Sequence, residues 1–303
     1  MQRITRRRAL FIGAAAAILP GLGRAATPVA AWNGNALGAH AEIRLAGLET
    51  AEAAPVFARI AAELHRLEDL FSLYRPGSAL SRLNRQGWLD DPAPEMLEVL
   101  GLARSAHRRT GGLFDPSVQP LFALQARHAA ANSLPSDADL AKARALVGFD
   151  AVGITPRRIA FARPGMALTL NGIAQGYVTD RIAALLRAEG MRDMLLDIGE
   201  IRALGQRPGE AGWKVGLGRG RRMMLRDRAI AASNRMGTVV NPAAGVGHIF
   251  DPRTGSGAGD GAETVHVLHA SAALADAYST AAALAGPAGS TAWVGDDLQM
   301  IWT

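Results

Sequence analysis

Apolar residues recur every three or four positions in several parts of the chain, a spacing typical of helices packed against a core. Between Val56 and Phe71, for example, Ile60, Leu64 and Leu67 share one face, and charged residues lie between them. The same spacing, together with capping residues and glycine stops, predicts four further helices. They begin at Pro94, after Ser136, within the loop 171–177 and at Ser271, and they end near Arg109, Val147, Gly190 and Leu284.

Short runs of β-branched and other apolar residues alternate with these helices and predict strands. The predicted strands cover residues 158–161, 166–170, 194–198, 213–217, 229–232 and 264–268. We expect the first two to form a hairpin, because Ala-Arg-Pro-Gly joins them. No internal repeat or long linker divides residues 26–303, so the pattern predicts a single α+β domain rather than a doubly wound sheet.

Residues 1–25 have the features of an export signal. They include five arginines and no acidic residue, an apolar run from Ala9 to Leu22, and the small-x-small pattern Gly23-Arg24-Ala25. The run is too short to span a bilayer comfortably. Residues 5–11, Thr-Arg-Arg-Arg-Ala-Leu-Phe, resemble a twin-arginine signal, and an ordinary secretory signal is the alternative. We expect a periplasmic protein, exported by the twin-arginine pathway, that does not span the membrane after signal removal.

Composition and charge exclude several classes of function. The chain has 303 residues and no cysteine, which excludes disulfide scaffolds, cysteine-ligated metals and thiol nucleophiles. The net charge of +6 comes mainly from the leader, since the rest of the chain has 28 of the 33 basic residues and all 27 acidic residues. Nearly equal numbers of acidic and basic residues outside the leader argue against a nucleic-acid partner, because a protein that binds nucleic acid needs a basic surface.

The predicted helix at the C-terminal end contains one carboxylate in an otherwise apolar sequence. Asp276 is the only formal charge between Ala270 and Trp293, so burial of this helix would require a proton, a cationic side chain or a metal to neutralise it. Thr280 lies one turn later on the same face. A carboxylate with a hydroxyl suits Mg²⁺, while pairing with an arginine is the alternative.

Two other stretches are candidates for chemistry. Residues 171–177, Asn-Gly-Ile-Ala-Gln-Gly-Tyr, join a predicted strand to a helix, a geometry that can present backbone N–H groups to an anion or can simply be a turn. His248 precedes the turn Asp-Pro-Arg-Thr-Gly at residues 251–255. Its imidazole could accept a hydroxyl proton near neutral pH, although an isolated histidine is more often structural.

Five motifs, taken together, resemble the ApbE family of flavin transferases (FAD:protein FMN transferases), in that family's order. They occupy residues 72–85, 110–116, 170–180, 248–255 and 275–280. Among them are Thr-Gly-Gly-Leu-Phe-Asp-Pro, His-Ile-Phe-Asp-Pro-Arg-Thr-Gly and Ala-Asp-Ala-Tyr-Ser-Thr. The resemblance implies a T-fold-related mixed sheet with helices, arranged as two packed subdomains with the FAD site between them.

The resemblance also implies a reaction: FMN passes from FAD to a Thr or Ser hydroxyl of another protein, and AMP leaves. Asp276 and Thr280 would ligate Mg²⁺ together with the backbone carbonyl of Ala174, and His248 would take the proton from the acceptor hydroxyl. The residues that would line the FAD site are Tyr74, Ser78, Thr110, Gly112, Phe114, Asp115, Asn171, Tyr177 and His248.

Some positions depart from the common family pattern. Asn171 stands where Asp is frequent, Gln175 stands where Lys is frequent, and residues 197–200, Asp-Ile-Gly-Glu, are one residue shorter than the usual stretch. These variants are similar to the NosX branch, whose members are exported flavin transferases linked to nitrous oxide reductase maturation. The resemblance therefore implies the periplasmic region of NosR as the acceptor.

Two other functions use the same residues. The chain could be a periplasmic FAD-binding protein without transferase activity, or a hydrolase that cleaves the FAD pyrophosphate into FMN and AMP. A catalytic base and a cation ligand favour an enzyme over a storage protein. Transfer and hydrolysis differ only in whether a protein hydroxyl or water accepts the FMN.

Overall fold

The computed structural model describes residues 27–257, 259 and 263–303. The predicted export signal lies outside these residues and stays a prediction. In the described part of the chain, no helix is both long enough and apolar enough to cross a membrane.

Helices and strands are interspersed along the chain, which confirms the predicted α+β class. The helices are α1 (Thr50–Phe71), α2 (Ala79–Gln86), α3 (Pro94–Arg109), α4 (Gln119–Ala130), α5 (Asp137–Arg144), α6 (Ala174–Ala188) and α7 (Ala272–Ser290). The strands are β1 (Val29–Ala36), β2 (Ala39–Ala46), β3 (Trp88–Asp90), β4 (Val152–Ile154), β5 (Arg158–Phe161), β6 (Met194–Asp197), β7 (Ile201–Leu204), β8 (Trp213–Gly216), β9 (Arg222–Leu225), β10 (Arg228–Ser233), β11 (Val239–Asn241), β12 (Val246–Gly247), β13 (Val265–His269) and β14 (Leu298–Trp302).

A seven-stranded antiparallel sheet forms the centre of the fold. Its order is β1-β2-β6-β7-β10-β13-β14. The helices α6 and α7 pack against each other, and α7 also packs on β10 and β13. Small sheets of β3-β5-β4, β8-β9 and β11-β12 lie outside the main sheet. The alanine-rich sequence of α7 suits this position, because small side chains allow a helix to lie close to its neighbours.

Asp180, on α6, fixes the start of α7. Its carboxylate accepts hydrogen bonds from the Ser271 hydroxyl (2.7 Å) and from the backbone N–H groups of Ala272 (3.0 Å) and Ala273 (3.2 Å). These N–H groups have no partner within the helix, so a carboxylate there acts as a cap. Arg202 on β7 pairs with the same carboxylate. The Asp180 side chain therefore connects α6 to both α7 and β7.

The predicted helices are present, with small shifts at their ends. The helix predicted from Val56 begins six residues earlier, at Thr50, and the one predicted to reach Val147 ends at Arg144. The C-terminal helix is interrupted at Gly286, whose φ of 70° and ψ of 176° are not helical. This lies two residues beyond the predicted end at Leu284.

One predicted strand and its hairpin are wrong. Residues 166–170 form no strand, and β5 pairs with β3 and β4 instead. The side chain of Asn84 bonds both backbone groups of Leu168, with distances of 2.8 Å to the carbonyl oxygen and 2.7 Å to the N–H. Because a side chain satisfies these groups, the segment needs no partner strand.

The motif at residues 72–85 contains most of α2, which begins at Ala79. Ser78 caps this helix by accepting the N–H of Ser81 at 3.0 Å. The helix α4 was not predicted, because residues 119–130 have no clear helical spacing of apolar residues. Its buried residues include Leu121 and Leu124, which belong to a small apolar cluster with Phe250.

Candidate active site

Asp276 lies within α7 and is buried, with only 4% of its surface exposed. The backbone N–H of Gly176 donates to its carboxylate, while Oδ2 has no hydrogen-bond partner among the described residues. Burial raises the pKa of Asp276 to about 8. Pairing with an arginine, the alternative considered from sequence, is not seen in the described part of the chain. A proton or a bound cation must therefore neutralise this carboxylate.

Thr280 lies one turn beyond Asp276 and faces the loop that leads into α6. A Cβ built on Gly172 would stand 2.9 Å from the Thr280 Oγ1, so glycine permits this loop to approach α7 closely. Ala174, the predicted carbonyl ligand, is the buried first residue of α6 in the same segment. The structure thus brings the loop and both predicted side-chain ligands to one region.

Glu200 is a buried carboxylate that the sequence analysis did not select as a site residue. It lies between β6 and β7, is 8% exposed, and accepts the backbone N–H of Ala232. Burial, and then the nearby charges of Asp276 and Asp197, raise the pKa of Glu200 well above its usual value. The sequence does show an acidic residue that follows a glycine at the end of a predicted strand. In the sequence analysis it was noted only as a departure from the family motif.

Oxygen ligands are available for a small cation at this position, but they are few. The described residues hold no group of three or more His, Asp or Glu side chains placed for a metal. Mg²⁺ commonly binds one or two carboxylates and takes its remaining oxygen ligands from water and phosphate groups. The unpartnered Asp276 Oδ2 and the nearby Thr280 hydroxyl fit that pattern.

A small cleft lies next to Ala174. Its lining includes Tyr74, Asn171 and Gln175. Tyr74 is 61% exposed, so its ring is available to a ligand. A larger cavity of about 860 Å³ shares Leu73 with this cleft. Two of the predicted FAD-site residues, Tyr74 and Asn171, therefore lie beside the predicted cation ligand.

Three other predicted FAD-site residues are buried polar side chains that stabilise loops. The Ser78 hydroxyl donates to the Ser72 carbonyl at 2.5 Å, besides capping α2. The Thr110 hydroxyl accepts the N–H of Phe114 at 3.0 Å. Asp115 accepts the N–H of Ser117 at 2.7 Å, as well as a bond from the 148–149 turn. These contacts shape the loops, and a direct contact with FAD stays a prediction for all three.

The remaining predicted FAD-site residues lie in the same motifs. Gly112 has a φ of 85° in the turn after α3, a conformation that favours glycine. Phe114 is buried, with its ring next to Gly172. Tyr177 is 3% exposed, and its hydroxyl donates to Glu98. Tyr177 does not line the small cleft, so its predicted role in FAD binding gains no support from its position.

His248 follows β12, and a hydrogen bond to a backbone carbonyl orients its imidazole ring. Its Nδ1 lies 3.2 Å from the carbonyl oxygen of Thr238, which can only accept a hydrogen bond. We therefore assign the proton to Nδ1, which leaves the lone pair on Nε2. Burial lowers the pKa of His248 below its usual value. A neutral imidazole with a free lone pair is the form required of a general base.

Solved flavin transferases have this fold. A mutant of flavin transferase ApbE from Vibrio cholerae matches with a TM-score of 0.78 at 24% identity, covering 91% of this chain and 97% of that one. The apo form of Pseudomonas stutzeri flavinyl transferase ApbE gives a TM-score of 0.77 at 22% identity, covering 93% and 96%. The fold is therefore that of the flavin transferases.

Sequence comparison gives the family. The model of the ApbE family matches residues 37–302. A curated relative from Vibrio cholerae, an FAD:protein FMN transferase, is 27% identical and covers 72% of this chain and 69% of its own length. A second FAD:protein FMN transferase, from Klebsiella pneumoniae, is 24% identical and covers 92% and 87%. The chain belongs to the ApbE family.

Proposed function

We infer that the chain is an FAD:protein FMN transferase. Its family membership and the activity of its curated relatives support this function. The single structural observation that carries the proposal is the buried Asp276 carboxylate, one oxygen of which has no hydrogen-bond partner in the part of the chain that the structure describes. A carboxylate in that state would be a suitable ligand for a cation that offsets the negative charge of the FAD pyrophosphate.

The proposed cation is Mg²⁺, held by the Asp276 carboxylate, the Thr280 hydroxyl and a backbone carbonyl of the loop, with Ala174 as the predicted donor. When bound, it would offset the negative charge of the pyrophosphate and stabilise the leaving phosphate. The protein residues orient FAD: Tyr74 and Asn171 line the cleft next to these ligands.

His248 is the proposed general base. Its Nε2 accepts the proton of the acceptor's Thr or Ser hydroxyl as the hydroxyl oxygen attacks the phosphorus of the FMN half of FAD. One phosphoester bond forms to the acceptor, the P–O bond of the pyrophosphate breaks, and AMP leaves with the electron pair. The Thr238 carbonyl holds the imidazole in the tautomer that this step needs.

We also propose a place and a partner for the reaction. The basic leader with its short apolar run supports export by the twin-arginine pathway to the periplasm. The variant motifs at residues 170–180 and 197–205 are similar to the NosX branch, which makes the periplasmic flavin-binding region of NosR the proposed acceptor. The enzyme would then act in nitrous oxide reductase maturation.

Intact-protein mass spectrometry tests the function directly. Purified protein, FAD and Mg²⁺ are incubated with the NosR domain, with a second incubation lacking the domain. We expect the mass of the domain to increase by one FMN phosphoester and AMP to appear in equal amount. Free FMN without a modified domain would show hydrolysis instead, and bound FAD that stays intact would show a storage protein.

A further inference from the structure

We propose that Glu200 is a second carboxylate of the cation site at Asp276, and that the two side chains together set its affinity for a divalent ion. The inference rests on the proposed function only in taking Asp276 as a cation ligand. It assigns a role to a residue in the turn between β6 and β7 of the central sheet, a part of the sequence distinct from the predicted ligands on α7 and in the loop before α6.

The strand pairing places Glu200 beside β10, the strand that packs on the helix that carries Asp276. Ile201, the next residue, pairs with Ile230 on β10, and the Glu200 carboxylate accepts the N–H of Ala232 on the same strand. The strand β10 packs directly on α7. At that contact the hydroxyls of Ser233 and Ser279 lie 2.8 Å apart.

Both residues also contact α6, Asp276 through its carboxylate and Glu200 through its backbone carbonyl. The Asp276 carboxylate accepts the N–H of Gly176. The Thr179 hydroxyl, three residues further along α6, lies 3.4 Å from the Glu200 carbonyl oxygen. Asp276 and Glu200 therefore contact positions on α6 that are only three residues apart.

The electrostatics of the pair favour a divalent ion. Asp276 and Glu200 are both buried side chains that carry like charges when ionised, and no basic side chain of the described residues offsets Glu200. The neutral Gln175 side chain lies against Gly199, since a Cβ built on Gly199 would stand 2.6 Å from the Gln175 Cδ. Gln175 therefore adds no positive charge beside Glu200, and two ionised carboxylates require two positive charges from elsewhere.

Manganese binding, followed by electron paramagnetic resonance in the absence of FAD and acceptor, tests the proposal. Mn²⁺ replaces Mg²⁺ at oxygen sites and gives a signal that changes on binding. We expect the Glu200→Gln variant to bind Mn²⁺ at least tenfold more weakly than wild type and Asp276→Asn to lose binding. The matched control is Glu98→Gln, an exposed carboxylate bonded to Tyr177 on α6, which should bind Mn²⁺ as wild type does.

Thermal unfolding separates a ligand role from a structural one. If Glu200 holds the cation, Glu200→Gln leaves the metal-free Tm unchanged or raised, because a buried charge is removed, and it reduces the rise in Tm that Mn²⁺ causes. A lower metal-free Tm with an unchanged Mn²⁺ affinity would overturn the proposal. Mn²⁺ binding without flavin transfer would instead contradict only the proposed function.

Discussion

Gly176 on α6 lies directly against the backbone of Ala272 on α7: a Cβ at position 176 would stand 2.2 Å from the Ala272 carbonyl oxygen. The same Gly176 donates its N–H to the Asp276 carboxylate. Close packing of the two helices and the orientation of the buried carboxylate therefore depend on one position without a side chain. This explains why the motif has glycine there in purely steric terms.

The Gly176→Ala variant should unfold more easily and bind the cation more weakly. Its added methyl group must push α6 and α7 apart, which costs on the order of 1–3 kcal/mol and lengthens the bond to Asp276. Urea unfolding and Mn²⁺ titration measure the two effects. Gly101→Ala in α3, where a Cβ meets no atom within 4 Å, is the control and should gain about 0.5–1 kcal/mol. Equal stability of the two variants would contradict the close approach.

The raised pKa of Asp276 predicts how stability depends on pH in a chelator. The native carboxyl titrates near pH 8 and the unfolded one near 3.8. Between these values the native state binds more protons, so the contribution of Asp276 to the free energy of unfolding is largest below about pH 4, falls as the pH rises, and is lost once the pH passes about 8. Asp276→Asn should reduce this slope, as measured by urea unfolding at several pH values. Added Mg²⁺ should stabilise wild type more at pH 8 than at pH 6, because the ion binds the deprotonated form.

Much of the fold follows from local patterns, and the errors have a common cause. The helices α1, α3 and α6 were predictable because apolar spacing, caps and glycine stops agree. The segment 166–170 has the sequence of a strand, yet its backbone is satisfied by the Asn84 side chain, 84 positions away from Leu168. A long-range bond of this kind leaves no signal in local periodicity.

Removing that bond should destabilise the protein. In Asn84→Ala both backbone groups of Leu168 lose their partner, and the 166–170 segment is buried at Met166, Leu168 and Leu170. Loss of two partly buried hydrogen bonds costs on the order of 2–4 kcal/mol. Urea unfolding measures the change, with Asn33→Ala on the exposed face of β1 as the control. A variant as stable as the control would show that water replaces the amide without cost.

The candidate site was predictable only in part. Asp276 and Thr280 could be paired from sequence because one helix carries both at a spacing of four. Glu200 could not be added, since its approach to Asp276 depends on the pairing of β7 with β10 and the packing of β10 on α7. Residues that meet through sheet order rather than through helical spacing need the tertiary structure to identify them.

Substitution of His248 should affect the rate of FMN transfer much more than the affinity for FAD. The variant His248→Gln keeps a polar side chain but cannot accept the proton at neutral pH, so FMN transfer should slow by about 100- to 10,000-fold. The affinity for FAD, measured by flavin fluorescence, should change far less. In wild type burial lowers the pKa of His248, so the rate of transfer should begin to fall at a lower pH than for a base with the pKa of an ordinary histidine. His65→Ala, at an exposed position on α1, should leave both quantities unchanged. If His248→Gln weakens FAD binding as much as it slows transfer, His248 is a binding residue and the acceptor hydroxyl loses its proton elsewhere.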